Sequence, residues 1–324
     1  MKSTTRHRTW LGLGVAAVVL ALAGTTASYQ SDMQAIQQRL NTGSRVAATS
    51  HGLMEYTELG SGPAVLVLHG AGGGYDQGAS IAEVYGGEGF RWIAPSRFGY
   101  LRSPLPADAS TAAQADALVD LLDGLGIPQI ALLAMSGGVP PALQIASRHP
   151  SRVSALVLLS SAPYTPLSAS QQQLPMPDWM YQALFSSDFP YWVLQKTVPS
   201  SLQAMFDVRA ELRAALTPEE RAFVEQMVAS FLPVTQRVAG LANEGAAVNP
   251  QAQYSLERIA APALVIHARD DGINPFAFGE HTARSVPGAQ FMPLETGGHL
   301  LLGHTSDVRA RVNAFLRSHA PKGS

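Results

Sequence analysis

Residues 130–141 read Ile130-Ala131-Leu132-Leu133-Ala134-Met135-Ser136-Gly137-Gly138-Val139-Pro140-Pro141. An apolar run of this length suits a strand covered on both faces. The two prolines suit the first turn of a helix, where the amide hydrogens they lack have no partners anyway. Strand, sharp turn and helix are therefore predicted, with Ser136 at the bend. Such a serine is either an ordinary turn residue or a hydroxyl held out to react. A reactive elbow strains the serine backbone and demands small residues two places before and two places after it. Ala134 and Gly138 meet that demand, with alanine where glycine is usual.

Outward from this stretch the same rhythm repeats. Upstream, Leu53–Leu59 alternates like a half-exposed strand, Ala64–Leu68 is wholly apolar and ends in His69-Gly70-Ala71-Gly72-Gly73-Gly74, and Arg91–Ala94 runs into Pro95-Ser96-Arg97. Thr111–Leu125 has helical spacing of Ala115, Leu118, Leu121 and Leu122. Downstream, the helix opened by Pro140 and Pro141 runs to about His149, and Val153–Leu159 is another buried strand. Strands alternating with helices imply a mainly parallel sheet. From about Tyr164 to Arg258 no apolar strand run occurs; instead there are scattered aromatics and a capping-box helix start at Thr217-Pro218-Glu219-Glu220. This is read as a helical insertion over one end of the sheet. Ala263–Ile266, a helix from Phe276, a short strand Gln290–Met292 and a last helix from Ser306 to Leu316 resume the pattern.

The chain has 324 residues, 46% hydrophobic and 14% charged, enough to bury a large core, and its net charge of -2 offers no basic field for nucleic acid. With no cysteine, disulfides and thiolate chemistry are excluded. Lys2, Arg6, His7 and Arg8 precede an apolar run from Trp10 to Ala23, with small residues at Ala21-Leu22-Ala23 and Thr25-Thr26-Ala27 where a signal peptidase would cut. Trp10 to Tyr29 also matches the roughly 20 residues that cross a bilayer. Residues 1–30 are therefore a signal peptide or a membrane anchor, residues 31–50 a connector, and the bulk of the chain is expected outside the cytoplasm.

A serine hydroxyl needs a base, itself oriented by a carboxylate. In hydrolases of this architecture the acid and the histidine follow later strands, in that order. Strand Ala263–Ile266 ends in His267-Ala268-Arg269-Asp270-Asp271, and the strand near Phe291 is followed by Glu295-Thr296-Gly297-Gly298-His299. His299 is thus the candidate base and Asp270 or Asp271 the acid. His304 reads as a surface or capping group, His69 as structural and His267 as a strand-end packing residue, while His51, His149, His281 and His319 read as surface positions.

These motifs resemble the α/β-hydrolase superfamily over about Gly52 to Leu316. His69-Gly70 resembles its oxyanion loop, and Arg148-His149-Pro150-Ser151-Arg152-Val153 its link from elbow helix to next strand. His267-Ala268-Arg269-Asp270-Asp271 resembles its acid loop, whose acid is usually the fourth residue after the histidine, which favours Asp271. The resemblance implies a mainly parallel α/β sheet flanked by helices, with core over 51–163 and 259–320 and a helical cap over 164–258. It implies a Ser136, His299 and Asp271 triad, oxyanion donors on the backbone N–H of Ala71 and Gly137, and hydrolysis of a small acyl or carbonyl compound, most simply an ester. Cleavage of carbon–carbon bonds in diketone or dienone acids uses the same three residues. No cofactor is required, and no His-Glu-x-x-His spacing points to a metal. Trp179, Tyr181, Phe185 and Trp192 suggest an apolar pocket, although residues at helical spacing more often pack as plain core. Two readings from other classes stand beside this one. In one, Gly70–Gly74 with Arg97 resembles an NADP site, although Tyr75 stands where a third glycine belongs; in the other, a hydrolase-like body serves only to bind.

Overall fold

The computed structural model describes residues 3–162, 164, 178–245 and 253–321, with side chains from residue 20 onward except at 178, 181 and 182. The chain divides into two units, the first ending at Thr42 and the second beginning at Gly43. The first is one helix, α1 (Ser3–Thr42), whose 40 residues extend about 60 Å. The side chains of the apolar run through Val19 lie outside the described residues; among the described residues no helix is long and apolar enough to cross a membrane.

The second unit is built on eight strands in the order β1-β2-β4-β3-β5-β6-β7-β8. They are β1 (Arg45–Thr49), β2 (Gly52–Gly60), β3 (Ala64–Leu68), β4 (Arg91–Pro95), β5 (Ile130–Met135), β6 (Val153–Leu159), β7 (Ala263–Ala268) and β8 (Gln290–Leu294). β2 is antiparallel to β1 and β4, and all strands from β4 to β8 run parallel. β1 and the end of α1 occupy the segment expected to be a polar connector. β1 gave little warning of itself because it is a largely exposed edge with no buried alternation to read.

Helices α2 (Tyr75–Ile81), α3 (Thr111–Gly124) and α4 (Val139–Arg148) link the first strands. α2 carried no helical period because nearly every residue in it is buried. Between β6 and β7 come α5 (Asp178–Phe185), α6 (Asp188–Thr197), α7 (Pro199–Ala204), α8 (Ala210–Ala215), α9 (Pro218–Ala229) and α10 (Val238–Asn243). The Thr217–Glu220 capping box opens α9: Oγ1 of Thr217 accepts from the Glu220 amide at 3.2 Å, and Glu220 Oε2 accepts from the Thr217 amide at 3.1 Å. α11 (Phe276–Ser285) and α12 (Thr305–His319) complete the chain, and helices flank the sheet. Because β3 to β8 are parallel, the loops after β3, β4, β5, β6, β7 and β8 all emerge at one rim, where open α/β sheets place their ligands.

Candidate active site

Ser136 sits on the turn between β5 and α4 with φ of +53°, a left-handed conformation that a serine adopts only when its surroundings hold it there. Gly138 packs so closely under this turn that a Cβ would press on the carbonyl oxygen of Leu68 and lie 2.8 Å from that of His69. Ala134 is fully buried in β5, so the site accommodates its one methyl. Asn274 Nδ2 donates to Ser136 Oγ at 3.3 Å and to the Ser160 carbonyl at 2.9 Å. Among the described residues no hydrogen bond joins Ser136 to His299, but both line one cavity of about 150 Å³.

The candidate acid and base meet on the loops after β7 and β8. His299 Nδ1 lies 3.2 and 3.0 Å from the two carboxylate oxygens of Asp271. An ionised carboxylate only accepts, so Nδ1 carries a proton, and in the neutral ring it is Nε2 that keeps the lone pair. Burial would raise the Asp271 carboxyl, but the His299 ring, hydrogen bonds from His267 and His299, and the Asn274 amide outweigh it and hold the acid well below the usual carboxylate range. Asp271 Oδ1 also accepts from the amides of Ile273 and Asn274 at 2.9 and 2.8 Å. His267 does more than pack: fully buried, its Nε2 lies 3.0 Å from the Asn274 carbonyl and 3.3 Å from Asp271 Oδ2. Asp270 points away from the ring, accepting from the Gly298 amide at 2.9 Å and pairing with Arg209 at 2.6 Å. The His299 carbonyl accepts from Ser160 Oγ at 2.8 Å.

The opposite side is the loop after β3. A Cβ on Gly137 would lie 3.2 Å from the Ala71 nitrogen, so the two expected oxyanion donors are neighbours. Gln77 Oε1 accepts from the Gly70 amide at 2.8 Å, and Tyr100 OH accepts from the Gly72 amide at 3.2 Å. The His69 ring fixes the loop base. Its Nε2 accepts from the Arg97 amide at 3.0 Å, which places the ring proton on Nδ1, 2.7 Å from the Gly70 carbonyl. Burial first, and then the Arg97 charge, hold its pKa well below the ordinary histidine value. The Arg97 guanidinium donates to the carbonyls of His69 and Gly70 at 3.0 and 3.1 Å and pairs with Glu244 at 2.5 Å. It is thus fully committed within the protein, unlike the phosphate ligand of the NADP reading. Tyr100 OH also donates to Glu244, and burial followed by that carboxylate raises the phenol well above its ordinary range.

The cap closes the cavity with Met205, Phe206, Met227 and Phe231. Of the aromatics read from the sequence as pocket or plain core, Phe185 and Trp192 are buried without lining the cavity, Trp179 is exposed, and the Tyr181 side chain lies outside the described residues. Two charged groups of the insertion reach inward. Arg237, with no exposed surface, donates to the Gly73 carbonyl at 2.6 Å and pairs with Asp76 at 2.9 Å. Asp207 Oδ2 accepts from the Gly272 and His299 amides at 2.9 and 3.0 Å. Sequence reasoning missed Asp207, Arg237 and Glu244, since their partners lie 65 to 164 residues away. Asn274 was within reach, as a residue three places after an acid that caps its own turn.

A larger groove of about 760 Å³, lined by Gly60, Glu88, Phe90 and Arg317 among others, holds none of the candidate residues. It lies where β2 ends and β4 begins, at the amino end of the parallel strands, away from the rim where such sheets act.

The model of the alpha/beta hydrolase fold matches residues 63–303. The chain belongs to the α/β-hydrolase family, and it is a hydrolase. The 2-hydroxymuconate semialdehyde hydrolase of Pseudomonas sp. (strain CF600) is 31% identical over 268 residues, 80% of this chain and 88% of that protein. An alpha/beta hydrolase fold protein from Nakamurella multipartita superposes with a TM-score of 0.74 at 27% identity, covering 85% of this chain and 99% of the other. An esterase from Exiguobacterium antarcticum shares the fold with a TM-score of 0.59 at 22% identity, covering 84% and 97%.

Proposed function

We propose that the protein is a carboxylic-ester hydrolase working through Ser136, His299 and Asp271 on small, uncharged acyl groups. The observation that carries this reading is one cavity holding a strained serine and a histidine whose other ring nitrogen is fixed on a buried carboxylate. Nε2 of His299 takes the proton of Ser136 Oγ as the oxygen attacks the ester carbonyl. The tetrahedral oxyanion turns to the Ala71 and Gly137 amides. The carbon–oxygen bond to the leaving group breaks as the imidazolium returns its proton to the departing alcohol. Water, deprotonated by the same nitrogen, then releases the acid from the serine. The Ser136 to His299 contact is one that commonly tightens only with substrate in place.

Relatives that include a 2-hydroxymuconate semialdehyde hydrolase keep carbon–carbon cleavage of an acid as the second reading. The cavity favours the ester. Among the described residues it contains no arginine or lysine, nearby Arg97 is committed to Glu244, and residues 165–177 and 246–252 contain no charged residue at all. A substrate carboxylate would therefore enter without a guanidinium or ammonium partner, at a cost on the order of several kcal/mol. A volume near 150 Å³ suits a group about the size of benzene.

The test is turnover of short p-nitrophenyl esters together with labelling by a fluorophosphonate. Ser136→Ala should lose both, with kcat reduced by about 10⁴-fold or more. Labelling of another residue, or turnover surviving in the variant, would refute the assignment. Export of the catalytic body, by an anchor or a cleaved signal, is proposed from the basic and apolar N-terminus. A periplasmic or extracellular reporter fused after Ser324 should be active, and a cytoplasmic one silent.

A further inference from the structure

Asp207 lies in the cap, in the turn between α7 and α8, directly after the cavity residues Met205 and Phe206. Its backbone is left-handed, with φ of +62°, and its side chain is buried. One carboxylate oxygen, Oδ2, accepts two amide hydrogens that belong to different loops. The first is that of Gly272, next to the acid Asp271, at 2.9 Å, and the second is that of the base His299 itself, at 3.0 Å. Both glycines beside this junction are shaped around it. A Cβ on Gly272 would lie 2.6 Å from Asp207 Oδ1, and one on Gly298 would lie 2.7 Å from Oδ2. Arg209 closes the cluster, with Nε 3.5 Å from Asp207 Oδ1 and Nη2 2.6 Å from Asp270, which in turn holds the Gly298 amide.

From this we infer that Asp207 is a positioning residue of the cap that fixes the spacing between acid and base, so that the covering insertion is part of the reacting geometry. The inference rests on the triad proposed above. Asp207 touches no substrate atom. It ties the loop of Asp271 to the loop of His299 through a single oxygen, and a displacement of about 1 Å at the base is enough to cost about 100-fold in rate. Apart from Ser160 on the carbonyl side, it is the one side chain among the described residues that holds the His299 main chain.

The experiment separates the carboxylate from the backbone it stands on. Asp207→Gly accepts the left-handed conformation and removes both hydrogen bonds; Asp207→Asn also accepts it and keeps an oxygen for both amides. With a short p-nitrophenyl ester, the Gly variant should lose about 10- to 100-fold in kcat with KM within about twofold of wild type. The Asn variant should recover most of that loss. Amide exchange at His299 and Gly272 should quicken in the Gly variant and not in the Asn variant. Asp207→Glu, which keeps the charge but moves the oxygens by one methylene, should lose kcat like the Gly variant and serves if the latter does not fold. Wild-type kcat in the Gly or Glu variant, or equal losses in Gly and Asn with unchanged exchange, overturns the inference. If Ser136→Ala is inactive while Asp207→Gly is not, only the clamp fails. If Ser136→Ala turns over normally, the triad fails and the exchange result alone judges the clamp.

Discussion

The wall of the cavity on the sheet side presents the polar Ser136, His299 and Gln77 with Gly70 and Ala71, beside the apolar Met135, Ile273 and Leu300, whereas the described residues of the cap present only Met205, Phe206, Met227 and Phe231. Three charged side chains of the cap turn away from the cavity and into the loops around it: Asp207 to the loops of Asp271 and His299, Arg237 to the Gly73 carbonyl, and Glu244 to Arg97. The division is physical. Bond-making groups need fixed hydrogen-bond geometry, which the rigid ends of parallel strands supply, while an uncharged acyl group needs only dry apolar surface of the right depth.

The largest effect should come from the polar wall. Asp271→Asn should lower kcat by about 10⁴-fold with little change in KM, because the ring of His299 loses the acceptor that fixes its tautomer. The same substitution should alter the response to acid. The folded carboxyl of Asp271 is depressed below the ordinary value of about 3.9, so its stabilisation is complete above that pH and is lost as pH falls toward 2. An acid titration of stability should therefore be shallower in the variant over that range. Equal slopes would mean that Asp271 is not ionised and paired in the native state.

A smaller effect is expected from the apolar wall. The Phe231 ring stacks on Tyr191 at 5.8 Å between centroids and meets Phe206 edge-on at 5.1 Å. Phe231→Leu should deepen the cavity and move the preferred ester chain up by one or two methylenes, with about a fourfold gain for each, since a buried methylene contributes ~0.8 kcal/mol. Chain-length profiling of p-nitrophenyl esters reads this directly. A change in rate for every ester alike would instead blur the division between the two walls.

The strands were legible because burial on both faces leaves continuous apolar runs, as in Ala64–Leu68 and Val153–Leu159, and the elbow was legible because sterics restrict its neighbours to residues as small as Ala134 and Gly138. The meeting of His299 with Asp271 was legible because hydrolases of this architecture carry an acid and then a histidine on the loops after their later strands. The lining of the cavity was not legible. Which cap aromatics face inward depends on how six short helices settle, and Trp179 and Phe231 carry no local mark that sends one to solvent and the other to the cavity. The inward charges were hidden for a related reason: a buried ion pair has no sequence period, and Arg237 meets Asp76 across 161 residues.

That pairing has a bearing on how the molecule comes apart. A guanidinium with no exposed surface, bonded to Asp76 and to a carbonyl of the glycine loop, cannot be withdrawn from its partners without stranding charge in a dry interior, a loss of about 3–5 kcal/mol. The insertion is therefore not a flap that loosens first on warming. Cap and sheet should melt together in a single calorimetric transition, and trimming the insertion away would strip the Gly73 carbonyl and Asp76 of their buried cation.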